Sequence, residues 1–429
     1  MFGGGGFRHR AGSYDPGMTS TLRSLACLLL FVLSGCASLA PPGPAPRPVL
    51  LVSVDGLRAD VVGSGVMPTL DALAREGVHA QWMTPSYPSL TFPNHYTLVT
   101  GLRPDHHGIV NNTMRDPVLG DFSLRNREAV SDPRWWGGKP AWVSVQEHGG
   151  RAATMFWPGS EAPIAGQYPD DWLPFDGDMP AAARVDQVLA WLARPPAQRP
   201  VFLTLYFDEV DHEGHGYGPG SPEVRAAEAG VDAALARLLA GLESQGLRDE
   251  LDIIVVSDHG MASILPGQRE YLDDYLAARQ LPIEAIDVVS RGTSVGVAPA
   301  AGSDVAAVEA ALLGRHPHSE CWRKGELPAR WHYGSNPRVP AIVCQADVGW
   351  IVTTRNAWRK REHVTGAHGF APESPEMRAV FVADGPSFAD GVTLAPFDNV
   401  DVYPLLMRLL GVPAEPNDGD PHTFDAVLR

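Results

Sequence analysis

Four continuous runs of apolar and β-branched residues predict strands that are buried on both faces. They cover residues 48–54, 152–157, 200–207 and 251–256. Continuous rather than alternating hydrophobicity is typical of a parallel sheet with helices on both of its faces. A fifth run, over residues 377–383, is predicted to return to the same sheet. We therefore expect the core of the protein to be a mainly parallel sheet.

Stretches with helical periodicity separate these runs. The predicted helices cover residues 67–77, 139–148, 181–193, 226–247 and 398–410. Pro68 near the start of the first helix and Gly77 at its end are residue types that favour those two positions. Because strands and helices alternate, the pattern predicts an α/β fold.

Three of the predicted strands are followed closely by an aspartate: Asp55, Asp211 and Asp258. Open α/β sheets place their chemistry at the C-terminal ends of the strands, so we expect these carboxylates to lie at one edge. His215 stands four residues after Asp211, and His259 directly follows Asp258. Aspartate and neutral histidine are ligands that suit Zn²⁺, with Mn²⁺ or Fe as weaker alternatives.

A proline-rich stretch, residues 84–95, presents Thr91 as a candidate nucleophile. Pro85, Pro88 and Pro93 are predicted to exclude a regular helix through this stretch, and an apolar pattern resumes at Tyr96. Thr91 is therefore expected at or near a helix N-terminus, where free N–H groups and the helix dipole favour an anion. The alternative is a threonine that only caps the helix.

Composition narrows the class of protein. The 429 residues suffice for more than one ordinary domain or for one large α/β domain with an insertion. With 44% hydrophobic and 20% charged residues the chain is globular. A net charge of −16 without a basic run argues against binding to a nucleic-acid duplex, whereas a small charged substrate remains compatible.

Residues 18–36 have the pattern of an export signal. Arg23 supplies the positive charge, and the apolar run at 25–33 is too short to span a membrane. Residues 1–17 match neither a signal nor a fold, so Met18 is an alternative translation start to Met1.

The residues around Cys36 resemble a bacterial lipobox, which implies a lipidated Cys36 and a periplasmic or outer-membrane location. Residues 37–48 would then be a proline-rich tether. The alternative is cleavage after Ala37 or Ala40, which would give a soluble periplasmic protein. Cys27 and Cys36 belong to the signal, which leaves Cys321 and Cys344 as the pair available for a disulfide bond. We expect them to form a disulfide bond, with two buried free thiols as the alternative.

Several distant segments share the feature of Asp, His or Asn beside glycine, proline or an apolar run. They are residues 51–56, 91–96, 108–112, 211–215, 257–261, 336–340, 365–370 and 399–403. Together they resemble the nucleotide pyrophosphatase/phosphodiesterase family of the alkaline phosphatase superfamily, from about Pro48 nearly to the C-terminus. The resemblance implies an alkaline-phosphatase-like α/β/α sandwich with a mainly parallel central sheet and a smaller inserted region.

The resemblance also implies two zinc ions. One would be held by Asp211, His215 and His368, and the other by Asp55, Asp258, His259 and the Thr91 oxygen. We interpret the remaining histidines that we considered as structural or solvated, namely His95, His106, His107, His212 and His363.

The same resemblance assigns roles around the substrate. Thr91 would form a phospho-threonine intermediate, and Asn112 would donate to a phosphoryl oxygen. For the neighbouring Asn111 we prefer a turn-forming role. Phe92, Phe175 and Tyr206 match positions where relatives place aromatic residues around the nucleobase. Core packing is the competing account, and it is strongest for Tyr206 because that residue lies on a predicted strand.

The implied activity is that of an exported two-zinc phosphodiesterase/pyrophosphatase that releases nucleoside 5′-monophosphates. Two divalent ions and three aspartates would leave a charge of about +1, which matches a phosphodiester better than a monoester. The alternatives are a lipid or choline-type phosphodiesterase or phosphomonoesterase on the same metal site, and a catalytically silent zinc-binding surface lipoprotein. No protein partner is implied.

The chain is accordingly divided into five parts. Residues 1–36 are the leader and lipoprotein-type export signal, and residues 37–48 are the tether. Residues 49–267 are the first part of the catalytic core, residues 268–362 an insertion that walls the cleft, and residues 363–429 the second part of the core.

Overall fold

Strands and helices alternate along the chain, as the apolar pattern predicted. The computed structural model describes Met1, Gly3, Gly12 and residues 47–358 and 364–429. Its strands are β1 (Val49–Val54), β2 (Val78–Ala80), β3 (Met83–Thr84), β4 (Thr113–Asp116), β5 (Gly120–Ser123), β6 (Ala152–Met155), β7 (Asp171–Trp172), β8 (Phe202–Phe207), β9 (Asp252–Val256), β10 (Ala262–Ser263), β11 (Arg269–Tyr271), β12 (Ile286–Val288), β13 (Ser294–Pro299), β14 (Gly314–Arg315), β15 (Ser319–Arg323), β16 (Ile342–Ala346), β17 (Ile351–Thr353), β18 (Gly366–Ala367), β19 (Phe381–Asp384), β20 (Val392–Leu394) and β21 (Phe397–Asp398).

Helices of very different length connect these strands. The α-helices are α1 (Pro68–Glu76), α2 (Thr91–Thr100), α3 (Pro104–His107), α4 (Arg127–Val130), α5 (Ala141–Glu147), α6 (Ala181–Leu192), α7 (Glu209–Tyr217), α8 (Pro222–Ser244), α9 (Leu272–Ala277), α10 (Val305–Leu312), α11 (Arg355–Trp358) and α12 (Val402–Leu410). Short 3₁₀ helices cover Ala59–Val61, Pro133–Trp135, Pro196–Gln198, Ile283–Ala285, Ala329–Trp331, Pro375–Met377 and Asn399–Asp401.

The central sheet contains all five predicted strands. Its spatial order is β20–β2–β19–β9–β1–β8–β6–β7. β1 pairs in parallel with both β8 and β9, and Val52 lies opposite Leu205 on one side and Val255 on the other. β19 runs antiparallel to both of its neighbours. The sheet is therefore mainly parallel, as predicted.

Both faces of this sheet are covered by helices. Because successive side chains of a strand point to opposite faces, Leu51 and Val52 of β1 belong to two separate apolar cores. The core around Leu51 contains residues of α2, α5 and α12, and the core around Val52 contains residues of α1, α6 and α8. The architecture is the expected α/β/α sandwich.

A second, smaller sheet lies within residues 268–362. It is antiparallel in the order β12–β13–β16–β15–β14 and has an apolar core of its own. The predicted disulfide bond between Cys321 and Cys344 is confirmed, and it joins residues that face each other on β15 and β16. The sequence predicted only a less regular region here, because β12, β14 and β15 include exposed or polar positions and give no continuous apolar run.

The start of α2 agrees with the predicted position of Thr91 at or near a helix N-terminus, whereas the predictions for Pro93 and for the start of α8 were wrong. α2 begins at Thr91 and contains Pro93, so the expectation that Pro93 excludes a helix was wrong. The first N–H groups of a helix have no intrahelical partner, and a proline in the first turn therefore removes no hydrogen bond. α8 begins at Pro222, earlier than predicted, because the Ser221 hydroxyl caps it by accepting the N–H of Val224.

The predicted export signal at 18–36 and His363 lie outside the described residues, as does all of the tether at 37–48 except its last two positions. None of the helices in the described part of the chain combines the length and the hydropathy needed to cross a bilayer.

Candidate metal centre

The three predicted aspartates lie at the same edge of the central sheet. β8, β1 and β9 are parallel neighbours, so their C-terminal ends coincide. Asp55 directly follows β1, Asp211 lies in the first turn of α7 beyond β8, and Asp258 lies just past β9. Gly56 has a left-handed φ of 70°, and a Cβ atom there would lie 3.1 Å from Asp211. A glycine at this position therefore lets the turn after β1 approach α7.

Asp211, His215 and His368 form one potential ligand group, whose nearest donor atoms all lie within 4.8 Å of one another. One turn of α7 separates Asp211 from His215, which brings Nε2 of the histidine to 3.5 Å from Oδ2 of the aspartate. His368 Nε2 lies 3.5 Å from the other oxygen of Asp211. His368 reaches this place because β18, which precedes it, pairs with β10, just beyond Asp258.

His259 is the centre of a second group. Its Nε2 lies 2.9 Å from Asp258 Oδ2, 3.5 Å from Asp55 Oδ1 and 3.4 Å from the hydroxyl of Thr91. Asp55, Asp211 and His259 also meet the 4.8 Å criterion, so Asp211 is within reach of both groups. The two groups are thus adjacent.

All three histidines present the same nitrogen to the carboxylates. Nδ1 of His215, His259 and His368 lies 2.9–3.0 Å from the backbone carbonyl oxygens of Gly366, Gly260 and Ser89, respectively. A carbonyl oxygen only accepts, so each Nδ1 carries a proton that it donates. The lone pair of a neutral ring is then on Nε2, which is the arrangement found in histidines that bind a metal.

The protonation of the histidines depends on their surroundings. Burial lowers the pKa of His368 well below its ordinary value, and the charges of His259 and His215 lower it further. The rings of His259 and His368 stack with centroids 3.7 Å apart. Burial is the largest single effect on His259 and acts to lower its pKa, but the charge and hydrogen bond of Asp258 and the charge of Asp211 together outweigh burial, and the pKa is raised. A divalent cation would compete with the proton that makes the His259 ring cationic, since only neutral imidazole binds a metal.

One oxygen of each carboxylate lacks a hydrogen-bond donor among the described residues. Asp55 Oδ1, Asp211 Oδ1 and Asp258 Oδ2 are buried, and none accepts a hydrogen bond from the described residues. Burial raises the pKa of Asp55 well above its ordinary value, and the charges of Asp258 and Asp211 raise it further. Buried carboxylates without donors are costly unless a cation neutralises them. One free oxygen on each aspartate, together with three Nε2 lone pairs, fits divalent metal binding.

Thr91 and Asn112 lie beside this cluster. Thr91 is the first residue of α2, half-buried, with its hydroxyl facing His259. Asn112 Oδ1 accepts the N–H of Phe92 at 2.9 Å, which leaves the NH₂ group of Asn112 as its donor. Asn111 Oδ1 accepts the N–H of Thr113, the geometry of a turn.

The three predicted aromatic residues are only partly brought together. Phe175 is 43% exposed, and its ring lies 6.0 Å from that of Tyr206. Tyr206 is only 8% exposed. Phe92 packs instead against Phe122 and Trp136, with ring centroids 6.0 Å apart in both pairs.

Sequence reasoning missed the contact of His95 with the cluster. His95 is fully buried, with Nδ1 2.9 Å from the carbonyl oxygen of Thr91 and 3.3 Å from Asp258 Oδ2. Its Nε2 lies 2.8 Å from the hydroxyl of Ser53 on β1. The spacing of four residues from Thr91 was the available signal, because it places both residues on one face of a helix.

Three other histidines lie apart from these ligand groups. His106 is exposed and contacts Asp418, His107 is buried and contacts Thr97, and His212 is exposed on α7.

Comparison with known proteins identifies relatives. A family model described as type I phosphodiesterase / nucleotide pyrophosphatase matches residues 49–371. An uncharacterised pyrophosphatase/phosphodiesterase of Schizosaccharomyces pombe is 36% identical over 393 residues, which are 89% of this chain and 79% of the relative. A venom phosphodiesterase of Macrovipera lebetinus is 35% identical over 411 residues, 92% of this chain but only 47% of that protein.

Solved structures show the same similarity. Murine ectonucleotide pyrophosphatase/phosphodiesterase 5 superposes with a TM-score of 0.84 at 32% identity, over 89% of this chain and 100% of that chain. An inactive threonine-to-alanine variant of the murine enzyme in complex with AMP superposes with a TM-score of 0.83.

The cluster geometry predicts that His368→Ala weakens metal retention. The variant removes one of three potential ligands, so zinc bound per protein after dialysis against a weak chelator should fall by about one equivalent. His212→Ala is the matched control, since His212 is exposed on the helix that carries Asp211 and His215. Two tightly held zinc ions in the His368 variant would contradict the assignment.

Proposed function

The chain belongs to the type I phosphodiesterase / nucleotide pyrophosphatase family, and we therefore propose that it hydrolyses nucleotide phosphodiester and pyrophosphate bonds to nucleoside 5′-monophosphates. The observation that carries the proposal is the Thr91 hydroxyl at the start of α2, facing a cluster of buried aspartates and histidines.

We propose that the site binds two zinc ions. Asp211, His215 and His368 would hold one ion, and Asp55, Asp258, His259 and the Thr91 oxygen the other. When bound, the ions would supply the positive charge that promotes nucleophilic attack on the phosphoryl group and stabilises the leaving oxygen.

Thr91 is the nucleophile in this proposal. Its oxygen forms a bond to phosphorus as the bond from phosphorus to the leaving oxygen breaks, and the proton of the hydroxyl ends on the departing alcohol or phosphate or in the solvent. Water then cleaves the phospho-threonine ester, which releases the nucleoside 5′-monophosphate and restores the hydroxyl. Asn112, held by the N–H of Phe92, donates its NH₂ group to a phosphoryl oxygen, and the N-terminus of α2 favours the anion.

The murine relative supports a threonine as the nucleophile and a nucleotide as the substrate. With a threonine replaced by alanine that enzyme is inactive, and it forms a complex with AMP. In this chain Phe175 and Tyr206 are the aromatic residues that would contact the base, with Phe92 beside the nucleophile.

We propose that residues 268–362 wall the site. Thr293, adjacent to β13, donates its hydroxyl to the backbone oxygen of His368 at 2.6 Å, so the smaller sheet contacts the segment that carries a ligand. We also propose that the chain is exported and that it contacts a membrane only through a lipid on Cys36. The support for export is the residue pattern at 18–36.

The proposed substrate class is tested by a side-by-side assay. Zinc-loaded protein should hydrolyse a nitrophenyl nucleotide diester with a higher kcat/KM than nitrophenyl phosphate or a lysophospholipid. A higher kcat/KM for the lysophospholipid would indicate that the substrate is a lipid and not a nucleotide. Inactivity on all three would favour a catalytically silent protein.

Thr91→Ala should abolish turnover while the protein still folds and binds metal. The other predicted ligands remain, but the nucleophile is gone, so kcat should fall by about 10³-fold or more. Thr91→Ser retains the hydroxyl and should remain active. Turnover of the alanine variant within tenfold of wild type would exclude Thr91 as nucleophile.

Phe175→Ala should lower kcat/KM for nucleotide diesters and leave bis-nitrophenyl phosphate unchanged, because that diester has no base to stack. The expected loss is roughly 1–3 kcal/mol per stacking partner. Tyr168→Ala is the matched control, since Tyr168 is a surface aromatic residue of similar exposure, 42%, that stacks on Trp172. Equal losses on both substrates would indicate a structural role for Phe175.

A further inference from the structure

The hydroxyl of Tyr206 contacts a candidate metal ligand. It donates a hydrogen bond of 2.6 Å to Oδ2 of Asp55, and both residues are buried. Tyr206 was predicted to contact a nucleobase through its ring, and the hydroxyl contact is a separate feature that no sequence motif indicated.

This hydrogen bond distinguishes the two oxygens of Asp55. Oδ2 is occupied by the tyrosine, whereas Oδ1 accepts no hydrogen bond from the described part of the chain and lies 3.5 Å from His259 Nε2. A hydroxyl has a single proton to donate, and here it is given to the oxygen that does not face His259.

The position of the tyrosine is fixed by its surroundings. Tyr206 lies on β8 directly opposite Ser53 of β1, two residues before Asp55. Its backbone oxygen accepts a hydrogen bond of 3.0 Å from the fully buried Arg184. Its ring meets those of His95 and Phe175 edge to face, with centroids 5.1 and 6.0 Å away. The hydroxyl is therefore held by the sheet register and by packing.

We propose that Tyr206 is a positioning residue for Asp55: it occupies Oδ2, so that the carboxylate offers the metal only Oδ1. This inference rests on the proposed metal site. Hydrogen bonds to ligands orient them and typically change metal affinity by 10–100-fold. Without the hydroxyl, the carboxylate could rotate or bind through both oxygens.

Tyr206→Phe tests the inference, because it removes one oxygen atom and keeps the ring. The dissociation constant of one of the two zinc ions, measured by competition with a chromogenic chelator, should rise by about 10–100-fold. The kcat/KM values for a nucleotide diester and for bis-nitrophenyl phosphate should fall by the same factor. Unchanged zinc retention would overturn the inference. A loss confined to the nucleotide substrate would instead assign Tyr206 to the base.

Tyr96→Phe is the control, since Tyr96 is a fully buried tyrosine whose hydroxyl accepts or donates no hydrogen bond among the residues described. It should retain both zinc ions. Equal weakening in the two variants would attribute the effect to general loss of stability, against the inference.

A double variant separates positioning from folding. If Tyr206 acts through Asp55, Asp55→Asn combined with Tyr206→Phe should retain zinc no worse than Asp55→Asn alone, within about twofold. Additive losses would overturn the inference. The zinc measurements need no turnover, so they remain decisive if wild-type protein binds zinc but does not hydrolyse nucleotide diesters, a result that would refute only the proposed function.

Discussion

The electrostatic cost of holding Asp55, Asp211 and Asp258 together is the constraint on which the rest of the site depends. Each has a buried oxygen without a hydrogen-bond donor among the described residues, and Asp55 lies close to both of the other two. Burial and the charges of Asp258 and Asp211 raise the pKa of Asp55, and holding such charges together is costly unless a cation lies between them. The histidines that face these oxygens through Nε2 complete a donor set of the kind that divalent metals bind.

The scaffold supplies this arrangement through backbone geometry. Parallel pairing of β8, β1 and β9 brings their C-terminal ends together, and each end continues into a turn or helix that carries an aspartate. α2 approaches the same edge with its N-terminus, so that Thr91 points at the cluster. The rigid part of the molecule thus determines the distance between the nucleophile and the ligands.

Much of this site could be predicted from the sequence, and the limits have physical causes. Asp55 and Asp258 follow apolar runs, so their convergence follows from strand order alone. His368 comes from a distant segment that reaches the site through the short pair β10–β18, and only the family resemblance pointed to it.

The contacts that other buried side chains make with the potential ligands could not be predicted in the same way. Tyr206 lies in a continuous apolar run that predicts burial, but the contact of its hydroxyl with Asp55 depends on the pairing of β8 with β1. His95 lies in α2, within the stretch where Pro93 was predicted to exclude a regular helix. Three strands of the smaller sheet, β12, β14 and β15, lack the continuous apolar run that revealed the strands of the central sheet.

We propose that the two ligand groups hold two divalent cations beside Thr91. Anomalous diffraction at the zinc edge from crystals of the zinc-loaded protein tests it most directly. We expect two adjacent peaks, one bounded by Asp211, His215 and His368 and the other by Asp55, Asp258 and His259. A single peak, or peaks remote from these residues, would contradict it.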